Sequence, residues 1–193
     1  MPDRARILVV AATARELAVA DGWRTLCCGV GPVESAAAVA AEIARERPSA
    51  ILHMGIAGGS PRHAFAPGAL VIGSEAHYCD LTVAPDWAPN TVVAESLFVA
   101  AARRVLPTAV TLRIGTSAHL GGTLQCARHC EVEAMEGFSV LRAAQLAGIP
   151  ALEVRAVSND INEPDRARWH FAEAFAAVTT ATPALVAELR ALL

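Results

Sequence analysis

The sequence contains no lysine, because all 16 of its basic residues are arginine. A Walker-type phosphate loop, a Schiff-base enzyme and a pyridoxal phosphate enzyme each depend on a lysine amine. The absence of lysine therefore excludes all three classes.

Long hydrophobic runs are also missing, although hydrophobic residues make up 54% of the chain. Gly, Arg or Glu breaks each run well short of the roughly 20 residues of a membrane-spanning helix. The first run, Ile7–Ala12, is interrupted by Arg15 and Glu16 with no small-residue cleavage site, so it predicts a core strand rather than a secretory signal. We expect a cytoplasmic protein that does not bind a membrane.

There is no excess of positive charge either, since the formal net charge is −3. Proteins that bind nucleic acids nonspecifically through phosphates need a basic surface. We therefore expect no nucleic-acid partner.

Cysteine is odd in number, with five residues in the chain. An odd count in an apparently cytosolic protein argues against a disulfide framework. Cys126 and Cys130, with His129 between them, hint at a metal site, but there is no second ligand pair. We interpret these cysteines as small buried hydrophobic residues and predict no metal.

Short apolar runs alternate with Ala-rich helical stretches, which is typical of an α/β protein. The predicted strands are Ile7–Ala12, Thr25–Gly29, Ala50–Met54, Ala69–His77, Val110–Thr116 and Ala151–Ser158. The predicted helices are Pro32–Arg45, Ala94–Val105, Gly122–His129, Met135–Ala147, Ala167–Val178 and Pro183–Leu193. Several strands are apolar on both faces, as expected beneath two layers of helices. With no repeat or linker, residues 1–193 are predicted to form a single domain with a mixed central sheet flanked by helices.

Ligands of open α/β sheets bind beyond the carboxyl ends of the strands, and two such ends are unusual here. Glu16 follows the first strand, although a carboxylate that opens a helix is also favoured by the helix dipole alone. The glycines of Gly55–Gly59 would let a ligand approach the backbone, and their spacing does not match a dinucleotide fingerprint.

Charged side chains cluster in two further segments. Glu131, Glu133 and Glu136 surround a predicted strand-to-helix junction; a solvated helix start explains one or two of them, and a pocket for paired hydroxyls would explain the third. Arg155 lies within a predicted buried strand, where it needs an acidic partner such as Glu136 or Glu16.

Three polar residues, Ser158, Asn159 and Asp160, follow that strand. They fit either a helix cap or a ligand site. The buried arginine just before them favours the ligand site.

In this order and approximate spacing, these segments resemble the nucleoside phosphorylase superfamily. Gly55–Gly59 resembles its glycine-rich strand end, Met135-Glu136 its ribose-binding pair, and Arg155–Asn159 its Arg-Ala-Ile-Ser-Asp/Asn signature. Within the superfamily, Ala12–Leu17, Val132–Phe138 and Glu153–Asn159 are most similar to the futalosine hydrolases, which cleave futalosine to hypoxanthine and dehypoxanthine futalosine in an alternative menaquinone route.

The resemblance implies a role for each matching residue. Glu16 would be the base that activates water, Met135 would pack under the ribose, and Glu136 would bind its 2′- and 3′-hydroxyls. Arg155 would orient Glu136 and the water.

The remaining matches would contact the sugar and the base. Ile56 and Gly58 would line the sugar side, and Ser158 is a further substrate-binding candidate. Phe138 or Trp169 could stack on the base or its substituent, although aromatic residues are more often part of a core.

Asn159 takes the position that contacts the N7 and O6 edge of the purine, where adenine-directed relatives carry Asp. An amide can donate to O6 and accept from N7–H, so Asn159 predicts a 6-oxopurine nucleoside. Asp160 would be the donor if the register is off by one.

Several alternatives stay open at this point. Phosphate-using relatives carry Arg and Ser where this chain has His53 and Ile56, so phosphorolysis would depend on Arg15 and Arg62 as substitutes. A methylthioadenosine/S-adenosylhomocysteine nucleosidase is a second enzyme alternative, and a nucleoside-binding pseudoenzyme is the non-enzymatic one. The resemblance implies no cofactor and a homo-oligomer, often a dimer.

Overall fold

The computed structural model describes residues 7–18, 23–84 and 86–193. The strands of this part of the chain are β1 Ile7–Ala11, β2 Arg24–Cys27, β3 Ala50–Gly59, β4 Leu70–Tyr78, β5 Thr91–Val93, β6 Val110–Thr116, β7 Val132–Ala134 and β8 Ala151–Asp160. The helices are α1 Pro32–Arg45, α2 Ser96–Val105, α3 Leu124–Ala127, α4 Gly137–Leu146 and α5 Phe171–Arg190, with 3₁₀ turns at Ala14–Glu16 and Arg166–Arg168.

The eight strands form one mixed sheet, which confirms the predicted fold class. Its order is β2-β1-β3-β7-β6-β4-β5, and β8 pairs with both β3 and β4. The pairs of β1 with β2 and β3, of β3 with β8, and of β6 with β4 and β7 are parallel, and the others are antiparallel. Because β8 bridges β3 and β4, the central strands form a closed ring.

The topology brings three carboxyl strand ends together. β1, β3 and β8 are parallel neighbours, so the segments that follow Ala11, Gly59 and Asp160 leave the same edge of the sheet. α1 packs on α4 and α5 packs on α2, and both α4 and α5 contact β3 and β8. These helices hold the strands whose ends form the site.

β3 extends well beyond its predicted limit, and two short strands were not predicted at all. β3 was predicted to end at Met54 but continues through Gly55–Gly59, because β8 pairs with it along its whole length and β7 pairs with its last two residues. β5 and β7 were not predicted, since three residues are too few to show a strand period.

The C-terminal prediction of two helices is wrong, because α5 runs unbroken through Pro183. A proline inside a helix costs about 3 kcal/mol through its missing N–H and a steric clash. Here Ala181 and Thr182 before it and Leu185 and Val186 after it are all buried, and burying each large apolar side chain stabilises by about 1.5–3 kcal/mol. Packing therefore outweighs the local penalty.

No helix of the described residues, α5 included, is long and apolar enough to cross a membrane. The assignment of residues 1–193 to one domain stays a prediction, since residues 1–6, 19–22 and 85 lie outside the described part of the chain.

Candidate active site

A cavity of about 350 Å³ lies where these strand ends meet. Seven of the nine residues predicted from the sequence to form the site line it: Glu16, Ile56, Gly58, Met135, Glu136, Ser158 and Asn159. The structure thus brings together residues from four separate segments of the chain.

The carboxylate of Glu16 is held in place by three donors. Its Oε2 accepts hydrogen bonds from the Thr13 backbone N–H (2.8 Å) and hydroxyl (2.7 Å), and its Oε1 accepts one from the Ile56 N–H (3.1 Å). Thr13 and Glu16 form a capping box on the 3₁₀ turn. Glu16 therefore does stabilise the start of a helical turn, which was the alternative explanation considered for it. Glu16 is nevertheless 97% buried and faces the cavity, which an ordinary capping residue need not do.

Arg155 lies beneath the cavity, fully buried, and joins two carboxylates. Its Nε donates to Glu153 Oε1 (2.8 Å) and its Nη2 donates to Glu136 Oε2 (3.2 Å). The predicted partner Glu136 is therefore present, and Glu153 is a second partner that the sequence analysis did not identify. Burial lowers the pKa of Arg155, but the attraction of Glu153 and then Glu136 outweighs burial and raises it overall.

His53 completes the surroundings of Arg155. It is fully buried, and its Nε2 lies 3.1 Å from Arg155 Nη2, which donates to a neutral imidazole. Burial, and then the positive charge of Arg155, hold the pKa of His53 well below its usual value. At neutral pH His53 therefore adds no charge for binding an anion.

Two glycines make this close packing possible. A side chain at Gly55 would collide with Nη1 of Arg155 and Oε1 of Glu16, and one at Gly137 would collide with the carboxylate of Glu153. Gly137, which follows Met135-Glu136, is therefore needed because the Glu153 carboxylate lies against it. Gly55 is needed because Arg155 and Glu16 lie against it.

Glu136 connects this buried network with the cavity. Its Oε1 accepts a hydrogen bond from the Gly31 N–H (3.1 Å), while Oε2 contacts Arg155. The carboxylate is 96% buried yet lines the cavity beside Met135. Each oxygen keeps a lone pair that a hydroxyl of a ligand could use.

Asn159 is oriented by its neighbours at the end of β8. Its Oδ1 lies 2.6 Å from the Ser158 hydroxyl, and its Nδ2 donates to the Asp160 carbonyl (2.8 Å). The second N–H and the second lone pair of the amide stay available to a ligand. Asp160 does not line the cavity, and its carboxylate accepts a hydrogen bond from the Asn162 N–H instead.

Phe138 is not brought to the cavity. Its ring packs on Tyr78, with centroids 5.3 Å apart, in the main hydrophobic core. The first turn of α4 is anchored there by the Phe138 N–H, which donates to the Thr116 hydroxyl (2.8 Å). Of the two aromatic residues considered for stacking, only Trp169 lines the cavity.

An aromatic wall, defined as Trp169, Phe171 and Phe175, covers one side of the cavity. The ring centroids of Trp169 and Phe171 are 5.4 Å apart, and those of Phe171 and Phe175 are 5.9 Å apart. The guanidiniums of Arg166 and Arg15 lie 5.7 Å from the rings of Trp169 and Phe175. Phe171 and Phe175 were not predicted to belong to the site, although their i, i+4 spacing at the start of a helix is a visible signal in the sequence.

The loop after β6 forms another part of the lining with His119, Leu120 and Gly121, and Glu133 of β7 lies beside it. Glu133 was noted in the sequence as one of three clustered acids but received no role. Arg62, one of the two possible phosphate ligands, lies outside the cavity and is near Glu131 (3.9 Å).

The cysteine interpretation is wrong in one respect, because Cys79 and Cys126 form a disulfide. The two residues are 47 positions apart in the sequence, but both pack over Gly115, where the missing side chain leaves room for their sulfurs. The Sγ atoms of Cys79, Cys126 and Cys130 all lie within 4.8 Å of one another. The cysteine pair noted in the sequence, Cys126 and Cys130, is therefore part of a cluster of three.

The disulfide fastens α3, which continues the cavity-lining loop, to the end of β4. We expect Cys126→Ser to lower the free energy of unfolding by about 2–4 kcal/mol, the usual effect of losing a cross-link of this span. The cavity-lining loop should also become easier to cleave by proteases, since the released segment carries His119–Gly121. Denaturant titration and limited proteolysis would measure both, with the exposed free thiol variant Cys27→Ser as the control. Equal behaviour of the two variants would contradict the role of the disulfide.

Comparison with known proteins agrees with this arrangement. The profile of the phosphorylase superfamily matches residues 24–193, and the chain belongs to that superfamily. Among curated relatives, a futalosine hydrolase of Streptomyces coelicolor is 37% identical over 186 residues, which is 83% of this chain and 77% of the relative. The resemblance inferred from the sequence motifs is thereby confirmed.

Two solved structures share the fold. A 5′-methylthioadenosine/S-adenosylhomocysteine nucleosidase of Colwellia psychrerythraea, in complex with adenine, superposes with a TM-score of 0.86 at 19% identity over 97% of this chain and 96% of that one. The futalosine hydrolase of Helicobacter pylori has a TM-score of 0.81 at 13% identity over 96% and 97% of the two chains. At these identities the likeness concerns the fold alone.

Proposed function

We propose that this protein hydrolyses the N-glycosidic bond of a 6-oxopurine nucleoside, with futalosine as its substrate and hypoxanthine and dehypoxanthine futalosine as products, in menaquinone biosynthesis. The observation that carries the proposal is that Glu16, Glu136 and Asn159 all line the same cavity. The curated futalosine hydrolase at 37% identity supports this choice of substrate.

Glu136 and Met135 would bind the ribose. A carboxylate accepts hydrogen bonds from both hydroxyls of a sugar, and Arg155 and the Gly31 N–H fix it in the required orientation. Arg155 acts as a positioning residue, since it reaches Glu136 from beneath the cavity.

Glu16 would take the proton from the attacking water. Glycosidic cleavage passes through a cationic, oxocarbenium-like sugar, which both carboxylates stabilise electrostatically. The bonds from Thr13 and Ile56 aim the Glu16 carboxylate before substrate arrives, so little reorganisation is needed.

Asn159 would hold the departing base, donating to O6 and accepting from N7–H. We expect Asn159→Asp to shift preference from 6-oxo toward 6-amino nucleosides by about tenfold or more, the effect of exchanging one hydrogen-bond pattern in a buried site. Turnover of inosine and adenosine by both proteins would measure the shift. Unchanged specificity would contradict the role of Asn159.

The aromatic wall supports a nucleoside with a flat substituent at the 5′ position. Trp169, Phe171 and Phe175 offer ring faces, and Arg15 and Arg166 add positive charge that would favour an anionic group. Futalosine and inosine differ in this substituent, so we expect a higher kcat/KM for futalosine when both are assayed in parallel.

Hydrolysis is favoured over phosphorolysis by the charges around the sugar site. Arg155 is occupied by Glu136 and Glu153, and His53 is neutral, so neither is available to a phosphate dianion. The arginines that do line the cavity, Arg15 and Arg166, lie beside the aromatic wall and not beside Glu136. Base release measured with and without phosphate tests this directly. Strict dependence on phosphate would overturn hydrolysis, and absence of turnover with every nucleoside would favour a binding protein.

We also propose a cytoplasmic homo-oligomer. Val30 and Leu120 line the cavity, Val33 and Leu124 lie a few positions further along the chain, and all four are between 55% and 78% exposed. Exposed apolar side chains concentrated in neighbouring segments are typical of an interface. Light scattering on the purified chain would give the number of subunits.

A further inference from the structure

Glu133 lies in the same row of the sheet as Asn159, with one strand between them. Gly58 of β3 pairs with Glu133 of β7 on one side and with Asn159 of β8 on the other. Two strand spacings separate the outer residues by roughly 10 Å. All three line the cavity. If Asn159 contacts one edge of a flat base, Glu133 therefore lies near the opposite edge of that base.

The carboxyl of Glu133 lacks a full set of partners within the protein. It is 93% buried; its Oε2 accepts a long hydrogen bond from the Thr123 N–H (3.4 Å), and the Ser117 hydroxyl is a further donor beside the carboxyl. Its Oε1 is buried without any hydrogen-bond partner among the described residues. Buried carboxyl oxygens without donors are rare because losing water without a replacement costs free energy. A donor supplied by a ligand would remove that cost.

We propose that Glu133 is a specificity-determining residue that binds the N1 edge of the purine base, opposite to Asn159. The inference rests on the proposed function, because it needs a purine in this cavity. A 6-oxopurine carries an N1–H, for which an ionised carboxylate is an ideal acceptor. A 6-aminopurine carries a lone pair at N1, which an ionised carboxylate repels and a neutral carboxylic acid can bind.

The surroundings of Glu133 place its titration near neutral pH. The pKa of Glu133 is raised to about 7, and burial is the main cause. Hydrogen bonds from the Thr123 N–H and the Ser117 hydroxyl and the charge of His119 partly offset burial, while the charge of Asp80 adds to it. The nearby Cys130 thiol stays neutral, because burial raises its pKa to about 12. Glu133 is therefore protonated below pH 7 and ionised above it. Affinity for a 6-oxopurine should rise as the pH increases through this range, and affinity for a 6-aminopurine should fall.

The test uses the full chain with hypoxanthine and adenine as probes, by calorimetry at about one unit below and one unit above the pKa of about 7. The wild type should bind hypoxanthine several-fold more tightly at the higher pH and adenine several-fold more weakly. Glu133→Gln keeps the shape of the side chain and removes its titration. We expect its affinity for hypoxanthine at the higher pH to fall by about tenfold or more, and the opposed pH trends of the two bases to vanish.

Glu131→Gln is the matched control: Glu131 lies two residues away and also has a buried carboxylate oxygen without a hydrogen-bond partner, but it is outside the cavity, near Arg62 and His63. It should behave as the wild type does. Identical affinities and pH trends in Glu133→Gln and Glu131→Gln would overturn the inference, as would a wild type that binds hypoxanthine equally at both pH values. Failure of the wild type to bind either base or cleave any nucleoside would instead overturn the proposed function.

Discussion

Glu16→Gln should lower kcat by about 10²–10⁴-fold, the usual contribution of a general base. The amide is nearly isosteric and can still accept a hydrogen bond from the Ile56 N–H, so substrate binding should change much less than kcat. The folded state loses only part of the capping box at Thr13, worth about 1 kcal/mol. Steady-state kinetics with futalosine, together with thermal unfolding, would separate the two effects.

The control for this variant is Glu188→Gln, which removes a carboxylate from the surface pair with Arg104. Its kcat should equal that of the wild type. If Glu16→Gln retains most of its kcat, water is activated by another group and the assignment of Glu16 is wrong.

Arg155→Met should lower the free energy of unfolding by about 3–5 kcal/mol at neutral pH, because it leaves Glu153 and Glu136 buried without their cation. The hydrophobic replacement has a similar length, so lost volume contributes little. The kcat should fall as well, since Glu136 is no longer held in place. Chemical denaturation and kinetics on the same samples would measure the two consequences.

The pH dependence of this loss identifies its cause. Without Arg155 the pKa of Glu153, already raised by burial, should rise further, and protonation at lower pH then removes the unpaired charge. The stability gap to the wild type should therefore shrink as the pH falls. Arg104→Met, at an exposed ion pair, should cost no more than about 1 kcal/mol. A gap that stays constant with pH would contradict the electrostatic explanation.

The sequence predicted the part of the site that depends on strand ends. The rule that ligands of open α/β sheets bind at the carboxyl ends of strands singled out the segments of Glu16, Gly58 and Asn159 before any coordinates. In the structure Glu16 follows β1, and Gly58 and Asn159 lie in the last residues of its parallel neighbours β3 and β8. Arg155 was expected to need an acidic partner because a lone buried charge is costly, and the structure supplies Glu136 as one of two.

Other contacts could not be inferred because they depend on packing in three dimensions. Nothing in the sequence indicated that Glu153 pairs with Arg155, because the space for its carboxylate is left by Gly137, which is distant in the sequence. Phe138 looked like a ligand contact by its position after the motif, but the direction of α4 turns it into the core. The disulfide joins two cysteines whose sequence separation gives no sign of proximity.

The closed ring of strands also determines where new specificity can evolve in this scaffold. β3 contacts β1, β7 and β8 at once, so a change in its interior, at Leu52 for example, would displace the residues proposed to bind the sugar and the base together. The segments around His119–Gly121 and Arg166–Trp169 border the cavity from outside the sheet, so changes in them do not displace the strands. Substitutions in these two segments can therefore change the shape of the cavity while the residues on the strands stay in place.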